Sequence, residues 1–367
     1  TQERAEEFDR EETFDESIWK KAFELGFVGV WIKEEYGGPG MGFFENCLIT
    51  EEFWVVDPGC AISVGTTCFG SEIIQTFGRE EQKKKYLPPL VKGEARMGCA
   101  ITEPDAGSDT AAASTLAVRD GDEYVINGSK MFITNAPIGD VFLTYAKTDM
   151  TMGAKGITAF IVEKDFPGVS VSKKLEKMGN RGSPTGEMVF EDCRVPIENV
   201  VGDVNRGISI MMGGLDVERA FFAGEPLGIA EGAFELALRY SKEREQFGQP
   251  IASFQLIKAK LADMYTEIEA ARGLVYRAAV MADKMHRGGK GTEVHKIAAA
   301  SILFSAEMAT RVVNQALQIH GGYGYMLEFP INRFYRDVKL YEIGAGTSEI
   351  RRLVIADELI RRGLQYI

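Results

Sequence analysis

Apolar positions change their period twice along the chain. Up to about residue 95 they recur at helical spacing. Ile18, Trp19, Ala22, Phe23 and Leu25 share one side of a helix predicted over 16–27, and Gly26 supplies its stop. A second helix is predicted over 43–56, closed by Asp57-Pro58-Gly59, with Tyr36-Gly-Gly-Pro-Gly-Met-Gly as the loop between them. Lys83-Lys84-Lys85 reads as a solvated helix face. From about 96 to 200 the period falls to two. The runs 124–126 and 131–134 flank Asn127-Gly128, a hairpin dipeptide, and 141–146, 157–162 and 187–190 follow between Gly, Asp and Pro turns. Short strands without intervening helices predict an antiparallel barrel or sandwich. Beyond 205 the helical period returns, over roughly 207–242, 253–285, 292–320 and 347–363, with Gly288-Gly-Lys-Gly291 as a loop. The expected fold class is α+β: an N-terminal helical domain (1–95), a central antiparallel β-barrel or sandwich (96–204) and a C-terminal four-helix bundle (205–367).

Composition narrows the function. The 367 residues include 42 Lys and Arg against 54 Asp and Glu, a net charge of −12. A nucleic-acid or anionic-membrane binder needs a basic face, so both classes are disfavoured. No apolar run approaches the roughly 20 residues that span a bilayer. The acidic start resembles neither a signal nor a transit peptide, and because Thr1 is not an initiator methionine, residues upstream are expected. Five cysteines, odd in number and scattered, fit reduced thiols in a cytoplasmic protein. Three histidines supply no His-rich metal site. The glycine clusters 37–40 and 321–324 match neither the dinucleotide-binding nor the P-loop spacing.

Three stretches carry candidate chemistry. Ile101-Thr-Glu-Pro-Asp-Ala-Gly-Ser-Asp109 ends a predicted strand, and its small residues let backbone N–H groups approach a ligand; alone it also reads as a plain turn. Lys130-Met-Phe-Ile-Thr-Asn135 sets an aromatic and a hydroxyl on one strand face, or is an ordinary barrel strand. In Tyr341-Glu-Ile-Gly-Ala-Gly-Thr-Ser-Glu-Ile-Arg-Arg352, Thr347 is a predicted N-cap whose free N–H groups would favour negative charge, or simply start a helix.

In this order, with Glu243-Arg-Glu-Gln-Phe-Gly248, Phe254-Gln255, Gln318-Ile-His-Gly-Gly322 and Arg333-Phe-Tyr-Arg-Asp337, the whole chain resembles the acyl-CoA dehydrogenase family. The resemblance implies FAD, a CoA thioester substrate, an electron-transfer flavoprotein as acceptor and a homotetramer. It places Thr102 and Ser108, with Cys99, Ile101 and Gly107, against the flavin, and Ser108 also near the thioester. Phe132, Ile133 and Thr134 would flank the isoalloxazine. Arg244, Phe247, Gln255, Gln318, Ile319, Gly321 and Gly322 would reach the FAD of a neighbouring subunit, while Thr347 and Glu349 hold its adenine-diphosphate side. Asp216, Arg219 and Tyr240 would line the substrate path.

Dehydrogenation between Cα and Cβ of a thioester needs a base for the α-proton and a hydride acceptor at Cβ. The proton is weakly acidic, so a carboxylate made more basic by desolvation suits the task. Many family members place Glu where this chain has Ala345. Leu215-Asp-Val-Glu-Arg219 instead resembles the isovaleryl-CoA dehydrogenase-like subgroup, whose base lies on a bundle helix, and assigns the role to Glu218. Two other readings stand beside it: a Glu218–Arg219 salt bridge, and Glu342 as base. Glu225, seven residues after Glu218, falls toward the same face with a structural role, and Glu225-Pro226 is expected to kink the helix.

By the same resemblance, segment 59–77 walls the acyl pocket. It holds no Lys or Arg, which disfavours a dicarboxylyl substrate, and its small residues suit a branched or cyclic acyl group. An acyl-CoA oxidase, another flavin oxidase or monooxygenase on this fold, and a helical scaffold that has lost its flavin remain as alternatives.

Overall fold

The computed structural model describes residues 2–286 and 294–363, so the loop expected at 288–291 lies outside the described residues. Six helices come first: α1 Gln2–Glu11, α2 Glu16–Glu24, α3 Phe43–Val56, α4 Pro58–Gly65, α5 Ser71–Phe77 and α6 Glu80–Val91. Asp15 caps α2, accepting the Ser17 N–H. Asp57 ends α3 and starts α4, where its carboxylate takes the Cys60 N–H and Pro58 occupies the first turn. On α6, Lys85 reaches across to Glu163 at 2.7 Å.

Eight strands form one sheet: β1 Met97–Ala100, β2 Leu116–Asp120, β3 Glu123–Thr134, β4 Val141–Lys147, β5 Ile157–Glu163, β6 Val169–Lys174, β7 Thr185–Pro196 and β8 Val200–Val201. Their order is β6-β7-β3-β2-β4-β5-β8, with β1 added on β4. The pairings are antiparallel except β1 with β4 and a single bridge from β2 to β4, which are parallel. The hairpin does not fall at Asn127-Gly128. It falls at Gly121-Asp122, where Asp120 faces Glu123, and β3 runs straight through 127–128 with a shift of register against β7. Gly128 is required there for space, since a Cβ would come within 2.7 Å of Thr115. Asn127 exchanges hydrogen bonds with Asp192 rather than turning the chain.

The rest is helical: α7 Gly207–Phe222, α8 Gly224–Glu243, a short hairpin of β9 Glu245–Gln246 and β10 Gln249–Pro250, then α9 Gln255–His286, α10 Val294–His320, α11 Ile331–Asp337 and α12 Ser348–Arg362. The single helix expected over 207–242 is two, parted at Ala223. Pro226 has no N–H for the Phe222 carbonyl and crowds it, so it begins a new helix instead of continuing the old one.

Helices from both ends of the chain pack together. Gly224, Gly228 and Gly232 place one bare stripe of α8 on the Cys47, Glu51 and Val55 carbonyls of α3; a Cβ at Gly228 would come 2.2 Å from Glu51 O. One hydrophobic core runs from α3 through one face of the sheet (Cys99, Leu143, Tyr145, Ile161) into α7–α10. A second lies on the sheet's other face, around Phe142, Phe160 and Phe190.

Candidate active site

Glu218 lies one turn from the end of α7 and is 5 % exposed. Its carboxylate makes no hydrogen bond or ion pair among the described residues. Burial pushes it up to about 7, with Arg219 and Arg351 pulling partly the other way. Arg219 is engaged elsewhere. Its Nε donates to the Ala345 carbonyl at 3.2 Å, and it stands 3.9 Å from Asp216. Asp216 also meets His295 Nδ1.

The loop 341–347 is held by two buried arginines. Arg351 donates to the carbonyls of Tyr341 at 2.7 Å and Gly344 at 2.6 Å, while Arg219 holds Ala345. Ala345 (φ 54°) and Gly346 (φ 90°) are both left-handed, a conformation that costs alanine strain and glycine none. Thr347 then caps α12, its Oγ1 accepting the Ile350 N–H at 3.3 Å, with Glu349 exposed in the first turn. Glu342 accepts from Lys339 (2.6 Å) and Thr310 (2.5 Å). Partial burial pushes it up, but those hydrogen bonds outweigh it and hold Glu342 below the usual carboxylate range.

On the sheet side, β1 lies between Glu218 and the strand motif. Cys99 feels the Glu218 charge, while a Cβ at Gly98 would lie 2.7 Å from Thr134 O. The turn after Ile101 is moored by Glu103. Its carboxylate binds the Ser114 N–H (2.5 Å) and Thr115 N–H (3.0 Å) and pairs with the fully buried Lys130 at 2.8 Å. Burial pushes Glu103 up, yet Lys130 and the N–H donors prevail and hold it at about 2. Met131 N–H also bonds the Thr102 carbonyl at 2.8 Å. Phe132 is left-handed (φ 62°) and 67 % exposed at a register shift of β3. The hydroxyls of Thr102, Ser108 and Thr134 make no hydrogen bond within the described residues, and nothing lies within 4 Å of where a Gly107 Cβ would sit.

The remaining expected residues gather at the far end of α8. Tyr240, Arg244, Ile319, Gly321 and Gly322 line a cleft of about 420 Å³. Tyr240 stacks on His320 at 4.5 Å, and Arg244 lies over the Tyr323 ring. Tyr240 thus joins the group assigned to a neighbour's cofactor; it is not brought to Glu218. Phe247 (φ 54°) turns the β9–β10 hairpin with Gly248 and is 93 % exposed. Gln255 and Gln318 are exposed close by in the chain. Sequence reasoning missed three groups: the Glu103–Lys130 pair, the Arg351 clamp and Glu72, a buried acid beside Glu218. An acid set between Ser71 and Ile73-Ile74 was the only signal for Glu72.

Among the described residues no helix is long and apolar enough to cross a membrane, and no group of three or more His, Cys, Asp or Glu could hold a metal ion. Three family descriptions match in succession: acyl-CoA dehydrogenase N-terminal domain (1–94), middle domain (98–193) and C-terminal domain (205–360). A mitochondrial isovaleryl-CoA dehydrogenase from Solanum tuberosum is 45% identical over 97% of this chain and 86% of its own. The butyryl-CoA dehydrogenase of Megasphaera elsdenii superposes with a TM-score of 0.93 at 41% identity, covering 98% of this chain and 93% of that one. An acyl-CoA dehydrogenase from Bacillus anthracis, described as complexed with FAD, superposes with a TM-score of 0.89 at 39% identity, covering 98% of this chain and 64% of that one. The chain belongs to the acyl-CoA dehydrogenase family. It is an oxidoreductase with acyl-CoA dehydrogenase function.

Proposed function

We propose that this chain dehydrogenates an acyl-CoA thioester between Cα and Cβ with Glu218 as the base, FAD as cofactor and an electron-transfer flavoprotein as acceptor. The observation that carries the reading is the Glu218 carboxyl: buried, without a partner among the described residues and poised at about 7. A carboxylate so placed takes up a proton near neutral pH without a competing hydrogen bond to break. Its rivals are weaker, because Ala345 has no titratable group and Glu342 is already occupied by Lys339 and Thr310.

The residues present fit a flavin. Thr102, Ser108 and Thr134 offer uncommitted hydroxyls, Gly107 leaves open space, and Phe132 is held outward in a strained conformation that the chain's own packing does not use. These would hold the flavin together with Cys99, Ile101 and Ile133, and Thr347 and Glu349 would hold its adenine-diphosphate side. When bound, FAD supplies the two-electron acceptor for the Cβ–H bond. The chain's own part is to hold the thioester, keep water from Glu218 and take the α-proton on its carboxylate.

Arg244, Phe247, Gln255 and 318–322 would serve a neighbouring subunit's cofactor in a homotetramer. The exposed Phe247, Leu256, Tyr325 and Leu327 in that region support this, being the apolar surface a partner covers. Asp216 and Arg219 would border the substrate. The acyl group is branched or cyclic, and all five cysteines are free, as suits a cytoplasmic protein. The units 1–95, 96–204 and 205–367 divide the work between pocket wall, flavin and base.

The test is anaerobic mixing of FAD-loaded protein with straight, branched, cyclic and dicarboxylic acyl-CoAs, following loss of oxidised-flavin absorbance. Bleaching by branched or cyclic thioesters, reversed by an electron-transfer flavoprotein and only slowly by air, is expected. Glu218→Gln should bind thioester and lose at least about a thousandfold in the rate of bleaching. Retention of near wild-type rate would end the assignment.

A further inference from the structure

Beside Glu218 stands a second buried acid. Glu72 is 3 % exposed; its Oε2 accepts the Gly70 N–H at 3.1 Å, and its Oε1 has no partner among the described residues. Packing fixes its place. Ile73, the next residue, fills the notch left by Gly214, where a Cβ would come 2.4 Å from Ile73 Cδ1, and Gly214 lies one turn before Glu218 on α7. On the other side a Cβ at Gly70 would lie 3.5 Å from Leu143. Tyr145, two residues along β4, shares that strand face, and Cys99 pairs with Leu143 in register. Glu72, Glu218, Cys99 and Tyr145 therefore converge from α5, α7, β1 and β4. Burial first, and repulsion from Glu218 second, push Glu72 up to about 8. The Tyr145 hydroxyl at the same spot is also buried without a partner among the described residues.

A buried polar atom left unpaired disfavours the folded state unless something satisfies it. The thioester Cα must lie at Glu218 for its proton to be taken, so groups next to Glu218 border the acyl chain. We propose that Glu72 selects the substrate: the preferred thioester carries a hydroxyl on its acyl group, and that hydroxyl hydrogen-bonds the carboxyl of Glu72 at Oε1. This rests on Glu218 being the base. An all-hydrocarbon acyl group leaves Oε1 bare. A distal carboxylate meets two acids and no lysine or arginine in 59–77.

The test uses FAD-loaded wild type, Glu72→Leu and Glu72→Gln with matched thioesters, each a branched or cyclic acyl-CoA with and without one hydroxyl beyond Cβ. Wild type should favour one hydroxylated member in kcat/KM by roughly tenfold or more, because a site built around a hydroxyl rejects the analogue that lacks it. Glu72→Leu should abolish that ratio by losing rate on the hydroxylated member alone. Glu72→Gln, which keeps a neutral hydrogen-bonding group of the same shape, should retain it. A ratio unchanged in Glu72→Leu, or an equal loss on both members, overturns the proposal. If Glu72→Leu does not fold, wild type decides alone, and indifference to every hydroxyl overturns it. Failure of the base assignment shows separately, as activity kept in Glu218→Gln.

Discussion

Glu218, the proposed base, illustrates how surroundings change one side chain's hold on a proton. The same carboxyl on a solvated helix face would ionise near 4.3 and be a poor base. Sealed into the α7 contact it sits near 7, with two arginines committed to backbone carbonyls instead of to it. The sign of the pH dependence follows. A base must be ionised to act, so kcat/KM with a saturated-chain thioester should rise with pH through about 7 and fall tenfold per unit below it. A pH–rate profile on the FAD-loaded enzyme checks this, and an inflection below 5 would mean that another group takes the proton. Glu218 could be put forward from the sequence because Leu-Asp-x-Glu-Arg is a local signature. Glu72 was not, since its meaning lies in what Gly214 and Leu143 bring beside it.

At the scale of elements, the motifs proposed to hold the flavin depend on an ion pair that a sequence presents only as two unrelated residues. Lys130 and Glu103 are both buried, and together they tie β3 to the turn after β1. Lys130→Met leaves Glu103 charged without its cation, which should cost about 3–5 kcal/mol; the expected readout is a lowered thermal midpoint with loss of FAD. The glycine stripe of α8 makes a different demand. Gly228→Ala drives a Cβ into the Glu51 carbonyl, which belongs to backbone and cannot step aside. We expect a loss of about 1–3 kcal/mol in urea unfolding despite alanine's better helix propensity. Helix and strand periods were plain from the sequence in both outer regions and in the sheet. The turn at 127–128 was misread because Asn-Gly favours a hairpin locally, while the Asp192 hydrogen bonds and the closeness of Thr115 decided otherwise. Pro226 was readable as a kink, and the chain goes further and parts at Ala223 because Pro226 can neither donate to the Phe222 carbonyl nor clear it.

Over the whole molecule, buried acids set the response to pH. Glu72 (about 8), Glu218 (about 7) and Asp337 (about 7) all hold protons longer when folded than when unfolded. Burial is the first cause in each case. A raised carboxyl pKa means that the native state binds more protons across that interval, so stability falls as pH rises. The thermal midpoint should therefore be higher at pH 6.5 than at pH 8, with a shallower slope in Glu72→Gln. An unchanged midpoint across that window would show that these carboxyls are hydrated in solution.

The seam between α3 and α8 carries a consequence for how the chain is made. Glu51 on α3 hydrogen-bonds Arg272 on α9, 221 residues later, and the carbonyls that receive the α8 glycines are synthesised before the entire sheet. A ribosome therefore releases the first helices long before their cover exists. Such distant closures fold slowly, and surface left waiting invites capture by chaperones or by other nascent chains. Helix α3 thus stays uncovered until α8 and α9 have been made, and only then can the two sides of the seam fold as one cooperative body.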